Sequence, residues 1–484
     1  MKVLSLEQIR TAEQNAVSSG IFSFPALMRN AGTAAAKIIC ENYNVQNKKV
    51  TVVCGMGNNG GDGLVIASEL SKEGACVTVC LPLGQVRTDT AKAMYPLPDD
   101  IIFSDTVDAD CDIMIDALFG IGLDRPVEGR AADVIDGMNL CDAVKIAVDI
   151  PSGVMCDGGV AGRAFRAELT ITFIALKPCQ LLPESSQYCG RVTVADIGVK
   201  ASDYLYLTTE EPKRLSRPKN CHKGTFGTAL IICGSYGMCG AEILATRSAL
   251  VSGVGIAKAV VCDKNYNAFC VSVPEAVTVP VPTSANGVPV IDDNTLEKAI
   301  NTSDALLIGC GLSNSEDTAR LVRRVLSATK IPAVIDADGI NALRGDINII
   351  GKTKAPVIIT PHPAEMARLC GVSTADIEKD RVGYARALAV KTSCVVILKG
   401  ANTVIASPDG RIFFNTTGNP ALATGGSGDV LAGMLVSHLA QGKSALKAAL
   451  DCVWLHGHAA DVAVTHINEA AVSPVDIIEE LKTL

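Results

Sequence analysis

The run Gly55-Met56-Gly57-Asn58-Asn59-Gly60-Gly61-Asp62-Gly63 joins backbone able to approach a phosphate to two amides and a carboxylate. Its first six residues fit G-x-G-x-x-G, the dinucleotide fingerprint. A nicotinamide dehydrogenase would add an acid at the end of the next strand to hold a ribose, yet that strand closes as Cys80-Leu81-Pro82-Leu83-Gly84. The amides and carboxylate suit a bound polar ring or a cation; a tight turn capped by Asn and Asp is the plainer reading. Two further polar clusters are Asp116-Ala117-Leu118-Phe119-Gly120-Ile121-Gly122-Leu123-Asp124-Arg125-Pro126 and Asp149-Ile150-Pro151-Ser152-Gly153. If all three end strands of one sheet, Asn59, Asp116 and Ser152 meet as hard oxygen ligands for a monovalent cation. Asp149 then lies beside them, free for acid–base work. Taken singly, each acid reads as a helix cap or a turn residue.

The second half carries its own set. Small residues in Thr424-Gly425-Gly426-Ser427-Gly428-Asp429-Val430-Leu431-Ala432-Gly433 run straight into a helical stretch. Exposed N–H groups and the helix dipole there make an anion site fit for a nucleotide phosphate. Asp429, in the first turn, can take a proton from a hydroxyl attacking phosphorus. The run lacks G-x-x-x-x-G-K-[ST], so it is not a P-loop. His222-Lys223-Gly224-Thr225-Phe226-Gly227, Gly234-Ser235-Tyr236-Gly237-Met238-Cys239-Gly240-Ala241, Gly309-Cys310-Gly311-Leu312, Asp336-Ala337-Asp338-Gly339, Thr360-Pro361-His362-Pro363-Ala364-Glu365 and Lys399-Gly400-Ala401-Asn402-Thr403 adjoin strand candidates. His362 alone reads as a core or capping histidine; its strand-end neighbours favour a site. His456 and His458, two apart on a helix, face different ways and are read as structural.

These residues need parallel strands to bring them to one edge. In the first half, β-type runs at Lys49–Cys54, Cys76–Leu81, Ile113–Ile115, Lys145–Val148, Thr170–Ala175 and Val192–Val194 alternate with helical stretches, one from about Asp62 to Lys72. Ser5-Leu6-Glu7-Gln8 is a capping box before an amphipathic helix. In the second half the runs are Thr228–Ile232, Ala305–Ile308, Ala333–Ile335, Val357–Ile359 and Cys394–Leu398. A hairpin is expected at Ser407-Pro408-Asp409-Gly410, then helices over about Ser427–Gln441 and Ser444–Thr465. Strand–helix alternation predicts α/β architecture with parallel sheets covered on both faces.

The 484 residues predict two or three domains. Glu210-Glu211-Pro212-Lys213-Arg214-Leu215-Ser216-Arg217-Pro218-Lys219, with two prolines and six charges, reads as a linker between domains 1–211 and 212–484. Residues 1–211 carry 17 basic and 27 acidic residues, net −10; residues 212–484 carry 26 and 24, net +2. The overall charge of −8, and aromatics at only 4%, argue against nucleic-acid binding by a basic stripe or a stacking platform. The 18 cysteines include no C-x-x-C pair and sit mostly in apolar runs, as buried thiols do in a reducing compartment. No signal region opens the chain and no apolar run is long enough to span a membrane, so the expectation is a soluble cytoplasmic protein.

GMGNNGGDG, DALFGIGLDRPVEG and VDIPSG resemble the NAD(P)HX epimerase family (YjeF N-terminal), over essentially residues 1 to 205. HKGTFG, GSYGMCGA, TPHPAE, KGAN and GNPALATGGSGD resemble the ribokinase-like ADP/ATP-dependent NAD(P)HX dehydratase family (YjeF C-terminal), from about 220 to 480. The resemblance implies two three-layer αβα domains, the first Rossmann-like and the second ribokinase-like. It implies epimerase contacts with NADHX or NADPHX at Asn58, Asn59, Gly60, Gly61, Asp62, Gly120, Ile121, Gly122, Leu123, Asp124, Arg125, Pro126 and Asp149. Potassium is implied at Asn59, Asp116 and Ser152. In the dehydratase it implies hydrated-cofactor contacts at Ala241, Gly311, His362 and Asp429, and nucleotide contacts at Lys399, Gly400, Ala401, Asn402, Thr403 and Gly428. Asp149 and Asp429 are the expected catalytic acids. The fused order, epimerase first, resembles bacterial members and implies ADP, with Mg2+, as co-substrate; a homo-oligomer is expected. The alternatives are a ribokinase-like small-molecule kinase with a Rossmann-like accessory domain, and a non-catalytic nucleotide-binding or scaffold protein.

Overall fold

The computed structural model describes every residue except 202, 203, 205, 214 and 215, so part of the expected linker lies outside the described residues. The chain divides into two compact units, Met1–Leu207 and Thr208–Leu484.

In the first unit, β1 (Lys49–Cys54), β2 (Cys76–Cys80), β3 (Ile102–Ser104), β4 (Ile113–Ala117), β5 (Val144–Val148), β6 (Leu169–Phe173) and β7 (Arg191–Ala195) form one sheet in the order β3-β2-β1-β4-β5-β6-β7. Every neighbouring pair is parallel. Successive strand residues feed opposite faces. Val50, Val52, Ile113, Ile115, Ile146 and Val148 pack with Leu27, Met28, Leu64 and Ile66 of helices α2 (Phe24–Asn42) and α3 (Asn58–Lys72). Val53, Met114 and Ala147 pack with Ile135 and Met138 of α4 (Arg130–Leu140) on the other face. This is the three-layer arrangement that wholly buried parallel strands require. The short first helix, α1 (Leu6–Ser18), carries the expected capping box of Ser5 and Gln8.

α3 starts at Asn58, four residues before the expected Asp62. Glycine weakens helices, which argued for a turn there, but close packing overrides that propensity. A Cβ at Gly60 would lie 1.9 Å from the Gly55 carbonyl oxygen, and one at Gly63 2.7 Å from Ala117 Cβ and Cys54 Sγ. Only glycine lets α3 sit this close to β1, and the cost puts both amides in the helix's first turn.

The second unit repeats the logic. β8 (Thr228–Ile232), β9 (Ile256–Cys262), β10 (Val277–Val281), β11 (Ala305–Ile308), β12 (Ala333–Ile335), β13 (Val357–Ile359), β14 (Val395–Leu398), β15 (Val404–Ala406) and β16 (Ile412–Phe414) run in the order β10-β9-β8-β11-β12-β13-β14-β15-β16. All pairs through β14 are parallel, and the last two are antiparallel, joined at the expected hairpin where Ser407 N–H donates to Arg411 O. Helices α5 (Cys239–Val251), α6 (Pro363–Cys370), α7 (Arg381–Thr392), α8 (Ser427–Ala440) and α9 (Ala445–Ala463) complete the frame for the site. Sequence reasoning missed β9 and the two edge strands β3 and β10. β3 has only three residues, two of them exposed, and β10 carries Pro280, which an edge position tolerates.

Candidate functional sites

In a doubly wound sheet the strand order reverses at one place, and the loops leaving the two strands there diverge to open a crevice. In the first unit that place lies between β1 and β4. The β1 loop leads into Asn58–Asp62, and the β4 loop supplies Leu118–Arg125. Both line a cavity of about 550 Å3 with Asp149, from the end of β5. The structure thus gathers Asn58, Asn59, Asp62, Gly120, Ile121, Gly122, Leu123, Asp124, Arg125 and Asp149 at one cavity. Gly60 and Gly61 are buried behind it and Pro126 is exposed, so these three do not line it.

Asp149 is not free, as the sequence suggested. Its backbone is left-handed at φ 68°, and its carboxylate is held from several sides. The Lys177 ammonium lies 2.5 Å from Asp149 Oδ1, and Thr172 Oγ1 and the Phe173 N–H donate to the same oxygen at 3.3 and 3.4 Å. Gln180 Nε2 donates to the Asp149 carbonyl at 3.1 Å. Lys177 is 1% exposed and also donates to Thr172 Oγ1 and Phe173 O. Three acceptors therefore use all three of its hydrogens. The only sequence signal for Lys177 was a lone charge in Ile174-Ala175-Leu176-Lys177-Pro178. Glu13, on α1, was also missed: it lines the cavity although its helix precedes every motif. Burial, then the negative charge of Asp149, pushes its carboxyl up to about 7. Burial, then Asp149 and Glu13, pushes Asp62 well above the carboxylate range.

Asp116 and Ser152 meet behind this cavity. Ser152 donates through Oγ at 2.6 Å and through N at 2.7 Å to the Asp116 carboxylate, which also accepts from Leu118 N. Asp116 is fully buried, and burial raises its carboxyl to about 6 against those three hydrogen bonds. No cationic side chain pairs with it among the described residues. Asn59 packs against Gly120, in the loop that follows Asp116, and its carboxamide nitrogen position is buried with no partner. Amide nitrogen and oxygen exchange by a flip. A buried, uncompensated carboxylate, a hydroxyl and an orphaned carboxamide are a donor set that fits a monovalent cation.

The second unit's switch point lies between β8 and β11. Their loops are laced together, Gly234 N–H donating to Cys310 O at 2.9 Å and Ser235 N–H to Gly311 O at 2.7 Å. Gly311, at φ 62°, approaches so closely that a Cβ there would lie 2.8 Å from that of Ala241. Asp336, at the end of β12, is the hub. It accepts from Lys399 Nζ at 2.8 Å, Thr360 Oγ1 at 2.5 Å and Cys310 Sγ at 3.5 Å. Asp429 stands beside it, with one ligand atom each of Cys310, Asp336 and Asp429 within 4.8 Å of one another. Burial, then the Asp336 charge, pushes the Asp429 carboxyl up to about 6. Burial works against the Lys399 ammonium, but Asp336 and Glu365 hold it above its ordinary value.

Asp429 sits in the first turn of α8, entered through Gly426 at φ 98°. A Cβ on Gly428 would lie 3.3 Å from Lys399 Nζ, so the helix N-terminus and the lysine face one space. His456 of α9 lies 3.4 Å from Ser427 Oγ, beneath that turn, and burial drives its pKa down to about 4, which suits the neutral structural role expected of it. His362 caps α6 through Nδ1, while desolvation, then Lys399, lowers its pKa. The strand end at Lys399 is fastened by Arg381, missed from sequence, whose guanidinium donates to Leu398 O and Lys399 O. Gly400 and Asn402 turn there with φ 141° and 51°, and Thr403 Oγ1 donates back to Gly400 O.

These features define an α/β enzyme with two separate strand-end sites, each pairing a lysine with a buried aspartate. Residues 25–179 match the family model described as YjeF-related protein N-terminus, and residues 229–483 the one described as NAD(P)H-hydrate dehydratase. The chain is 36% identical to the bifunctional NAD(P)H-hydrate repair enzyme of Moorella thermoacetica, covering 94% of this chain and 91% of that one. It is 33% identical to the enzyme of that name from Thermofilum pendens, over 99% and 95%. A solved Bacillus subtilis structure, described as an ADP/ATP-dependent NAD(P)H-hydrate dehydratase co-crystallised with ATP/Mg2+, is 32% identical with a TM-score of 0.48, covering 57% of this chain and 93% of that one. The chain belongs to the bifunctional NAD(P)H-hydrate repair enzyme family.

Proposed function

We propose that this chain repairs hydrated NADH and NADPH in two steps. The first unit interconverts the R and S epimers of the hydrate. The second removes water from the S form, converting ADP to AMP and phosphate. The reading rests on one observation above all: a single chain carries two strand-end sites, each with its own aspartate placed for proton transfer.

In the first unit, Asn58, Asn59 and Asp62 on one side and Gly120–Arg125 on the other hold the hydrate, and Asp149 faces the ring. Asn59, Asp116 and Ser152 would hold a potassium ion, which when bound supplies positive charge beside the substrate's polar groups. One carboxylate among neutral oxygens suits a large monovalent ion better than a divalent one.

In the second unit, the α8 N-terminus and Lys399 receive the nucleotide phosphates, with Gly400–Thr403 shaping the nucleotide's side of the site. Ala241, Gly311 and His362 flank the hydrated ring. Asp429 takes the proton of the ring hydroxyl as its oxygen attacks the terminal phosphorus of ADP, and AMP leaves. The new phosphate ester departs with its C–O electron pair, pushed out by the ring nitrogen, and loss of a proton from the neighbouring carbon restores the ring. Hydroxide leaves poorly and phosphate leaves well, so a kinase-like site becomes a dehydratase. Mg2+ accompanying ADP would find the Asp336 carboxylate as an oxygen ligand, and when bound would supply positive charge beside the phosphates.

The test is recovery of the near-ultraviolet absorbance of NADH from mixed NADHX epimers with ADP. The intact chain converts the whole mixture. Asp149→Asn stalls when the S epimer is consumed, and Asp429→Asn recovers none. Phosphorylation of a sugar or vitamin with no turnover of NADHX would instead favour the kinase reading.

A further inference from the structure

Water adds to a dihydropyridine at the carbon next to the ring nitrogen, so the hydrate's hydroxyl carbon also bears that nitrogen. Inverting this carbon by ring opening needs a proton removed from the hydroxyl and another delivered to nitrogen. Asp149 accepts the first from a fixed position. Tied to Lys177, Thr172 and Phe173, it cannot swing across the ring to deliver the second. Lys177 cannot deliver it either, because its three hydrogens already serve Asp149, Thr172 and Phe173.

We propose that Glu13 is the second proton-transfer group of the first unit's site, the general acid that works opposite Asp149. The proposal rests on the epimerase reading above. Glu13 reaches the cavity from α1, a different element from the strand end carrying Asp149, so the two carboxyls approach a bound ring from separate walls. The charged groups acting on it are Asp149, Lys177 and Arg10, with Asp62 facing it from α3.

The step balances. Asp149 takes the hydroxyl proton, the carbon becomes an aldehyde, and the carbon–nitrogen bond breaks with its electron pair going to nitrogen. Glu13 protonates that nitrogen. The aldehyde turns over, nitrogen attacks its other face, and both protons return, so neither oxidant nor co-substrate is consumed. Asp62 shares the cavity but is less fit for this work. Burial holds its carboxyl well above the carboxylate range, whereas Glu13, near 7, releases and regains a proton at neutral pH.

The test uses the full chain and NADPHX enriched in the R epimer, with kcat and KM measured from about pH 5.5 to 9. Glu13→Gln keeps the shape and removes the proton. It is expected to lower kcat for epimerisation on the order of 10²- to 10⁴-fold, the usual span for losing an acid–base group, with little change in KM. In the unsubstituted chain kcat/KM falls as pH rises through about 7, as Glu13 loses its proton, and in Glu13→Gln that limb disappears. Glu13→Asp keeps the limb and restores part of the rate. Dehydration of pure S epimer stays unchanged in all variants. A Glu13→Gln chain with near-normal kcat and an intact limb overturns the proposal, as does a drop in rate with the limb unmoved. If the unsubstituted chain does not interconvert the epimers at all, the epimerase reading fails first, which the same assay separates.

Discussion

Replacing Lys177 by Met keeps most of the side chain's length and apolar stem while removing the ammonium. It leaves Asp149, 8% exposed, without its cation and strips a donor from Thr172 Oγ1 and Phe173 O. Breaking a buried pair by removing one partner costs about 3–5 kcal/mol, because an uncompensated charge stays behind. For a unit of 207 residues, 1 kcal/mol shifts the midpoint by about 2–4 °C, giving an expected drop of roughly 6–20 °C near pH 8. Scanning calorimetry of the full chain reads the shift. The single tryptophan, Trp454, lies in the second unit, so its fluorescence marks that unit's transition, which should stay in place. Asp149→Asn combined with Lys177→Met should recover much of the loss. A midpoint within a degree of the unsubstituted chain at pH 8 would refute the argument that the pair is a compensated buried charge.

Asp429→Asn should lower dehydration on the order of 10²- to 10⁴-fold while nucleotide binding, measured by calorimetric titration, stays within a few-fold, since backbone and Lys399 make the anion site. Near-normal turnover would show that another group is the base. Asp116→Ala should weaken NADPHX binding and abolish any difference between potassium and sodium buffers, with S-epimer dehydration untouched. Equal epimerisation rates of the unsubstituted chain in the two buffers would remove the cation from the site.

What the sequence showed and what it hid differ in kind. Glycine-rich turns and strand-end acids announce themselves locally, because a strand followed by Gly and Asp leaves few other structures. Both switch points therefore fell where the motifs Gly55–Asp62 and Gly234–Ala241 stood. Lys177, Glu13 and Arg381 carry no local mark: each is one charged residue whose role arises only when distant elements meet. Propensity misplaced the start of α3, where the close approach of Gly60 and Gly63 to β1 outweighs the cost of glycine in a helix. It also hid β10, whose Pro280 speaks against a strand unless the strand is known to lie at an edge.

The saturated ammonium of Lys177 has a consequence for chemical self-damage. A free lysine amine condenses with aldehydes, and a ring-opened hydrate would present one within the same cavity. Lys177 is clamped by three acceptors and shows the cavity no lone pair, so it cannot capture the aldehyde as an imine. With ring opening as proposed, the site would host a reactive carbonyl without losing Lys177 to that condensation. Treating the working enzyme with borohydride, which fixes imines irreversibly, should leave Lys177 unmodified in a peptide digest; a reduced adduct on that residue would contradict the arrangement.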